Sequence, residues 1–470
     1  MSTTWKPHPY QLHAAQHALN NPGAALFLEP GLGKTAISLA VVSVLKRERV
    51  TKGVLVIAPL RVCFSVWPKE GQKWAEFNAL SVGVLHDDIG QKKAKTLREK
   101  HDVYVINPDG LKWLAAELKV LGSMPFDMLI VDESTKFKHA STARFKLLKT
   151  MLPKFKRRLL LTGTPAANNL QDLFGQVYLI DNGARLGKFI THFRRTYFDE
   201  ERHWMGFSIW HPRDDTAIKI EERVRDVCMY MRAEDLLTMP KRFDNRISVT
   251  LPADVQRVYA KVESDFYADL GTDSINAAHA ATAGMKLRQI VGGQVYTDDR
   301  VAHLHTVKLD ALADLIEEQS GQPILVAVAF KHEAEAIRAM LARDFKIDAP
   351  YLGGGISATK SDQIAAQFNA GTLPVLLAHP ASVAHGLNLQ AAAKAVCWFT
   401  LTWNLEEYDQ LNRRVYRQGQ QHTVVIHHII ADGTIDEVVY AALVAKDKTQ
   451  RNLLDALKLH AEKSTLESTT

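Results

Sequence analysis

The sequence has little cysteine and no long apolar run. Its three cysteines, Cys63, Cys228 and Cys397, lie far apart, and none stands in a CxxC or Cys/His spacing. This pattern argues against a disulfide framework or a structural zinc site and is typical of a reducing compartment. No apolar stretch approaches the ~20 residues of a membrane span, and the polar N-terminus does not resemble a signal peptide. We therefore expect a soluble, cytoplasmic protein.

Neither sign of charge dominates the composition. The chain of 470 residues carries 58 basic and 52 acidic residues, a formal net charge of +6, and 46% of its residues are hydrophobic. A chain of this length has room for roughly two to four globular domains. The small basic excess permits a polyanionic partner but is equally ordinary for an enzyme that has none.

The first functional motif is a glycine turn between a predicted strand and a predicted helix. Gly31 and Gly33 allow backbone angles and a close approach that side chains would block. Lys34 then offers a charge to the β- and γ-phosphates of a nucleotide, and Thr35 offers a hydroxyl ligand to Mg²⁺. The strict phosphate-loop pattern has a further glycine where this chain has Leu28, so the match is to the looser form GxGKT. The alternative is a plain turn with a surface lysine.

Two carboxylates, Asp132 and Glu133, follow another apolar run. Uncompensated carboxylates at the end of a buried strand are costly, so folding alone explains them poorly. We assign Asp132 to the Mg²⁺ shell and Glu133 to the attacking water, which is the usual division of labour in phosphoryl transfer. A helix N-cap carboxylate with a solvated neighbour is the alternative.

Tyr10 and Gln11 open a helical segment before the glycine turn. An amide presents one donor and one acceptor to an adenine edge, and an aromatic ring can stack on the base. An ordinary helix start is the alternative. The run Leu161 to Pro165, LTGTP, ends a further predicted strand, and its threonine hydroxyls can relay the state of the γ-phosphate.

Strands and helices alternate in two series, which predicts two parallel sheets buried on both faces. The second series has no GxGKT and no acidic pair, so we do not expect it to hydrolyse a nucleotide by itself. Between the series the rhythm lapses and helical patterns follow. We predict a first lobe over residues 1–180, helical protrusions and a linker over 181–305, a second lobe over 306–445, and a C-terminal helix with a frayed tail over 446–470.

The second series ends in a run of arginines. On a helix, Arg414 and Arg417 would face the same way because they are three residues apart. A rigid, permanently charged guanidinium suits the charge that develops on a transferred phosphoryl group. For the neighbouring Arg413, a basic helix face is the better interpretation.

The motifs occur in the order PYQ, GLGKT, IAPL, VDES and LTGTP, which resembles helicase superfamily 2 and, within it, the Snf2 family of double-stranded-DNA translocases. The stretches GLNL at 386–389 and QLNRRVYRQGQ at 410–420 are similar to Snf2 signatures too. Three features depart from the family: Ser134-Thr135 after the acidic pair, Arg413 where an acidic residue is usual, and HPASVAH at 379–385 in place of a glycine-rich loop.

The resemblance implies an α/β fold of two RecA-like lobes with helical protrusions between them, using ATP and Mg²⁺. The residues we assign are Tyr10, Gln11, Gly31, Gly33, Lys34 and Thr35 for the nucleotide; Thr35 and Asp132 for the metal; Glu133, Arg414 and Arg417 for catalysis; and Arg61, Asn107 and His379 for DNA. The function implied is a monomeric, DNA-stimulated ATPase that translocates on duplex DNA in a bacterial or phage-infected cytoplasm. The alternatives are a strand-separating helicase, or a nucleotide-gated DNA-binding motor subunit of a larger nuclease or modification complex.

Overall fold

The computed structural model describes residues 3–86, 91–166, 169–202, 208–270, 277–297, 300–383 and 387–447. The described residues form two compact units that divide between positions 238 and 239. This boundary falls inside the region 181–305 that the sequence assigned to protrusions and linker, and the predicted domain bounds stay a prediction. The predicted tail lies outside the described residues from 448 onward.

The first unit is built on a seven-stranded sheet in the order β3-β4-β2-β5-β6-β1-β9, and every pairing in it is parallel. Continuous apolar runs form its central strands, and both of their faces are buried beneath helices. The elements, in chain order, are α1 (Pro9–Asn20), β1 (Gly23–Leu28), α2 (Lys34–Arg47), β2 (Val54–Ile57), α3 (Leu60–Ser65), α4 (Trp67–Lys73), β3 (Val82–Val84), α5 (Gln91–Arg98), β4 (Val103–Ile106), α6 (Leu111–Leu121), β5 (Met128–Asp132), α7 (Ala143–Met151), β6 (Arg157–Thr162), α8 (Asp172–Asp181), α9 (Ile190–Tyr197), β7 (Phe198–Arg202), β8 (Ser208–Pro212), α10 (Thr216–Val224), β9 (Cys228–Met231) and α11 (Ala233–Leu236).

The second unit is built on a six-stranded parallel sheet in the order β10-β17-β16-β13-β15-β14. Its elements are β10 (Arg242–Val249), α12 (Ala253–Leu270), α13 (Ala277–Val291), β11 (Gln294–Tyr296), β12 (Val301–His303), α14 (Val307–Glu318), β13 (Ile324–Ala327), α15 (Lys331–Met340), β14 (Tyr351–Leu352), α16 (Ala358–Asn369), β15 (Val375–Ala378), α17 (Pro380–Val383), β16 (Ala395–Trp398), α18 (Leu405–Asn412) and β17 (Val424–Ala431). A further helix is described over 435–447. The two parallel sheets confirm the predicted fold class.

The region between the two strand series is less purely helical than its sequence suggests. The helices α12 and α13 lie within 181–305, where the sequence predicts helical protrusions, but β9 joins the edge of the first sheet and β10 joins the edge of the second. An antiparallel pair of strands, β7 and β8, precedes β9 in the chain. Across the described ranges, no helix combines the length and apolar character that crossing a membrane requires.

A buried ion pair ties α14 to the end of the second sheet. Lys308 is 1% exposed; its Nζ lies 2.5 Å from Asp436 Oδ2 and donates a hydrogen bond to Phe399 O at 2.9 Å. Removing one partner leaves a buried charge without compensation, so we expect Lys308→Met to cost about 3–5 kcal/mol of the stability of this unit. A lower thermal unfolding midpoint, measured by near-UV circular dichroism, would show the loss.

The exposed pair of Lys331 and Glu335 supplies the control. Lys331→Met removes the same charge from a pair at 3.7 Å in which both side chains are more than half exposed, and we expect little change in the midpoint. Adding Asp436→Leu to Lys308→Met should recover much of the lost stability, because an apolar pair needs no compensation. Equal midpoints for Lys308→Met and Lys331→Met would contradict the assignment.

Candidate active site

The glycine turn joins β1 to α2 and requires glycine at two positions. The φ angles of Gly31 and Gly33 are 97° and 80°, in the region that L side chains rarely adopt. At Gly33 a Cβ atom would also lie 2.4 Å from Nε2 of Gln11. Gly33 is the N-cap of α2, so the N-terminus of that helix, with its free N–H groups, begins directly after the turn.

Lys34 and Thr35 occupy the first turn of α2, where an anion would be held. Nζ of Lys34 donates a hydrogen bond to the carbonyl of Leu28 at 2.6 Å, so the side chain lies back over the loop. Thr35 is half-buried. A lysine charge and a hydroxyl thus stand at the positive end of one helix, which is an arrangement that suits a nucleotide's terminal phosphates.

Gln11 fastens the start of the chain to the loop. Its Nε2 donates to the carbonyl of Leu32 at 3.2 Å, and its Oε1 accepts from the N–H of His8 at 2.9 Å. The buried ring of Tyr10 stacks on His8 with centroids 5.4 Å apart, and burial raises the pKa of Tyr10. Gln11 therefore has a structural task as a loop support, and contact of this pair with adenine stays a prediction.

Asp132 ends β5 and is held by a tryptophan. Nε1 of Trp67 donates to Asp132 Oδ2 at 3.0 Å. Burial raises the pKa of Asp132 to about 6, the adjacent charge of Glu133 adds to the rise, and the Trp67 bond and the charge of Lys34 oppose it. Two adjacent, half-buried carboxylates are stabilised by a hard cation, since Mg²⁺ prefers oxygen ligands. The donor set of Asp132 with the hydroxyl of Thr35 fits that ion.

Glu133 has an unusual backbone that aims its side chain at the next strand. Its φ and ψ are 60° and 64°, a left-handed conformation that costs a non-glycine residue roughly 1–2 kcal/mol. Its Oε1 accepts hydrogen bonds from Oγ1 of Thr162 at 2.7 Å and of Thr135 at 3.4 Å. Strain of this kind persists where surrounding contacts hold it, and it is concentrated at functional sites.

The LTGTP run is hydrogen-bonded to the acidic pair and packs closely against the glycine turn. Oγ1 of Thr162, which donates to Glu133, also accepts from the N–H of Thr164 at 3.2 Å. A Cβ atom on Gly163 would lie 2.7 Å from Cδ of Pro30, so only glycine lets these two turns pack together. The glycine turn, the acidic pair and the LTGTP run therefore form one connected network.

Two residues that the sequence analysis did not single out also belong to this network. Trp67 holds Asp132, as described above, and Gln176 of α8 is fully buried and bonded to Ser134, the residue that follows the acidic pair. Oγ of Ser134 donates to Gln176 Oε1 at 2.6 Å, while Gln176 Nε2 donates to Pro165 O at 2.6 Å. Neither residue belongs to one of the sequence motifs, and no local pattern marks either of them.

Strand order arranges the site residues along one edge of the first sheet. The carboxyl ends of parallel strands meet at the same edge, and β4, β2, β5, β6 and β1 are consecutive neighbours. Asn107 directly follows β4 and Arg61 follows β2, and both are half-buried. These two candidate DNA residues therefore lie on one side of Asp132, and the glycine turn lies on the other.

The arginine motif lies in the second unit and is not helical, which corrects the sequence prediction. The helix α18 ends at Asn412, and the arginines follow in a series of turns. The carbonyl of Arg414 accepts a hydrogen bond from the N–H of Leu389 at 2.9 Å. This long-range bond draws the backbone away from the helical path, and the expected common helix face does not exist.

The two arginines have different surroundings. Arg414 is 8% exposed, and its guanidinium donates to the carbonyls of Gln410 at 3.0 Å and Leu387 at 2.9 Å. Arg417 is half-buried; Nη1 donates to Asn388 Oδ1, its Nε has no hydrogen-bond partner within the described residues, and burial lowers its pKa. Arg414 therefore has the contacts of a structural residue, whereas the Nε–H of Arg417 is a donor that could bind a ligand.

His379, the third candidate DNA residue, follows β15 in the second unit. It is half-buried, and its backbone N–H donates to the carbonyl of Leu352 at 2.9 Å. The first unit thus brings together Gln11, the glycine turn, Lys34, Asp132 and Glu133. Arg414, Arg417 and His379 belong to the second unit, and His385 lies outside the described residues.

Two family models match the chain. The model of the SNF2-related domain matches residues 10–293, and the model of the helicase conserved C-terminal domain matches residues 307–419. The first match alone covers more than half of the sequence, and it contains the glycine turn, the acidic pair and the LTGTP run. The second match contains the arginine motif.

Several known proteins are similar over nearly the whole chain. A protein named putative protein p41, from Acyrthosiphon pisum secondary endosymbiont phage 1, is 33% identical over 97% of this chain and 99% of its own length. The mouse DNA annealing helicase and endonuclease ZRANB3 is 26% identical over 96% of this chain, which spans 41% of that protein. The putative ATP-dependent helicase/translocase YwqA of Bacillus subtilis is 25% identical, and the chain spans 50% of it.

Among solved structures, the SWI2/SNF2 ATPase core of Sulfolobus solfataricus in complex with dsDNA is similar with a TM-score of 0.43 and 23% identity, over 98% of this chain and 96% of that one. The family assignment rests on the matched family models and on the phage relative. The chain belongs to the Snf2 family of helicase superfamily 2 and is an ATP-hydrolysing enzyme of the helicase and translocase type.

Proposed function

We propose that this protein is a DNA-stimulated ATPase that uses ATP and Mg²⁺ to translocate on double-stranded DNA. The observation that carries the proposal is the shared edge of the first sheet, where the nucleotide residues and two candidate DNA residues follow neighbouring strands. A change in the acidic pair can reach Asn107 and Arg61 through β2, which is paired with both β4 and β5. The paired strands β5, β2 and β4 would thereby link ATP hydrolysis to DNA binding.

The chemistry follows from the positions of the first unit's residues. Lys34 and the N-terminus of α2 would bind the terminal phosphates, and Asp132 with Thr35 would hold Mg²⁺, which would supply charge neutralisation at the phosphates. Glu133, held by Thr162, orients the attacking water and accepts its proton. Gly163 packs against Pro30 of the phosphate loop, and Gln176 of α8 donates to Pro165 O, so these contacts would carry a change at the γ-phosphate to the LTGTP run and to α8. Arg417 of the second unit stabilises the developing phosphoryl charge.

The names of two relatives support DNA as the nucleic acid on which this protein acts. Two cellular relatives carry the names DNA annealing helicase and endonuclease, and putative ATP-dependent helicase/translocase. Candidate backbone contacts come from both units, Arg61 and Asn107 in the first and His379 in the second. Contacts to phosphates carry no sequence information, so the binding is sequence-tolerant and sensitive to salt. The phage relative supports an origin in a phage-infected bacterial cytoplasm, where the protein acts as a monomer.

The proposal predicts that duplex DNA accelerates ATP turnover more than other nucleic acids do. The steady-state rate is measured without nucleic acid and with duplex DNA, single-stranded DNA or RNA, at equal nucleotide concentration and one salt concentration. Duplex binding and its stimulation should fall steeply with added salt, because counterions compete for the phosphates. Equal stimulation by RNA and duplex DNA would contradict the proposal.

Strand separation is the second candidate, and the hairpin of β7 and β8 favours it. The strand residues Asp199 to Arg202 are exposed, while Phe198 and Trp210 anchor the two strands to the core. Protruding hairpins are one means by which a motor can split a duplex. Stimulation by single strands alone, together with unwinding of a forked duplex, would replace translocation by this function. No stimulation by any nucleic acid would instead favour the motor subunit of a larger complex.

A further inference from the structure

The outermost strand of the second sheet is long, and within the described residues only one of its two edges is paired with another strand. The strand β10 is the outermost in the sheet and pairs along all 8 of its residues with β17. Most of its residues are exposed. Within the described residues, no strand covers its other edge. An uncovered edge of this length is a template for pairing with another chain, and natural proteins usually protect such edges.

The register shows which backbone groups point outward. The N–H groups of Val424 and Asp432 in and beside β17 donate to the carbonyls of Lys241 and Val249, at 3.0 and 2.9 Å. Odd-numbered residues of this strand therefore direct their N–H and C=O toward β17, and even-numbered ones direct theirs outward, since both groups of a residue point to the same side. The outward-facing residues are Arg242, Asp244, Arg246 and Ser248.

A groove runs beside this edge, between one face of β10 and the helix α14. It is a cavity of about 560 Å³, lined on the strand side by Asn245 and Ile247. On the helix side it is lined by three exposed carboxylates, Asp310, Asp314 and Glu318, each one helical turn from the next. A strand added beside β10 would lie in this groove, with every second side chain directed toward α14.

The charge and spacing of the groove select its occupant. Its lining contains no lysine, arginine or histidine, although the chain as a whole carries a net charge of +6. Successive carboxylates are four residues apart on the helix, about 6.0 Å along its axis. Alternate residues of a strand are about 6.6 Å apart. A strand with a basic residue at every second position could therefore place one cation near each carboxylate.

We propose that this groove binds an extended, basic segment of a partner protein, which joins the second sheet as a strand beside β10 and places Lys or Arg at alternate positions against Asp310, Asp314 and Glu318. Main-chain hydrogen bonds supply affinity in this mode of recognition, and the side-chain spacing supplies specificity. DNA is repelled by the carboxylates. In an antiparallel pair of two copies, the second β10 would present Phe243, Asn245 and Ile247 to α14 instead of cations, so this self-pairing leaves the carboxylates unmatched.

The test uses the full chain and a fluorescent peptide as long as β10, blocked at both ends, with Lys at alternate positions and Val between them. Binding is measured by fluorescence anisotropy at low salt, without ATP or DNA, so the result is independent of the proposed motor function. We expect saturable binding that Asp314→Asn with Glu318→Gln weakens about 10-fold or more. Asp310 is left unchanged because its Oδ2 accepts from Thr306 Oγ1 at 2.8 Å at the start of α14.

Two controls separate strand addition from general attraction. Glu317→Gln removes an exposed carboxylate from another face of the same helix, and the affinity should stay the same. N-methylation of alternate peptide amides keeps the charges but removes the donors, and it should weaken binding about 10-fold or more. Equal affinity for the double variant, for the N-methylated peptide or for a peptide with Glu in place of Lys would overturn the proposal. So would a concentration-dependent dimer that Ser248→Pro dissolves, since it would assign the groove to a second copy.

Discussion

Replacing Glu133 with glutamine is expected to slow ATP hydrolysis about 10²–10⁴-fold, while ATP and duplex DNA still bind. Glutamine has the same shape and can still accept the hydrogen bond from Thr162, so the strained turn after β5 is preserved. The amide cannot take a proton from the attacking water. Phosphate release under single-turnover conditions measures the chemical step, and a fluorescent ATP analogue measures binding.

Two further variants locate the effect. Thr162→Val removes the hydroxyl that holds Glu133 without removing the carboxylate, so we expect a smaller loss in kcat and an unchanged KM for ATP. Glu48→Gln is the control: it removes an exposed carboxylate whose surface pair with Arg47, at 3.1 Å, contributes little to stability. A Glu133→Gln variant that hydrolyses ATP as fast as the unaltered protein would remove Glu133 from the role of base.

The sheets could be predicted from the sequence where strands are buried on both faces. Such strands read as continuous apolar runs, as in β2 and β4. The edge strand β10 does not, because Arg242, Asp244 and Arg246 interrupt its apolar residues and most of it is exposed. Its place in the second sheet is decided by pairing with β17, whose sequence lies far along the chain. An apolar pattern alone cannot show that pairing.

The active-site motifs divide in the same way. The residues within each motif, Gly31 to Thr35 and the acidic pair, are neighbours in sequence, so their spacing alone indicated the chemistry. The side chains that hold them, Trp67 and Gln176, come from α4 and α8 and are recognisable only by their contacts. The prediction of a helix around Arg414 was wrong for a similar reason, because the local backbone conformation depends on a long-range hydrogen bond from Leu389.

Replacing Arg417 with alanine is expected to lower ATP turnover about 10³–10⁵-fold, with a much smaller change in KM for ATP. Within the described residues its Nε has no hydrogen-bond partner, and a half-buried donor of this kind is costly unless a ligand uses it. A phosphoryl oxygen is such a ligand in the transition state. Steady-state kinetics with and without duplex DNA measure both parameters, and Arg417→Lys should recover little because an ammonium lacks the planar fork.

The neighbouring arginines distinguish a catalytic loss from damage to the fold. Arg413→Ala changes the same segment and should leave turnover nearly unchanged. Arg414→Ala deprives the carbonyls of Leu387 and Gln410 of their donor, so its first effect should be a lower thermal unfolding midpoint. If Arg417→Ala melts with the unaltered protein yet turns over slowly, the second unit takes part in the chemistry. ATP hydrolysis in the first unit then depends on where the second unit lies, which is the dependence that a translocating motor needs. Unchanged turnover in Arg417→Ala would mean that the first unit's residues suffice for hydrolysis.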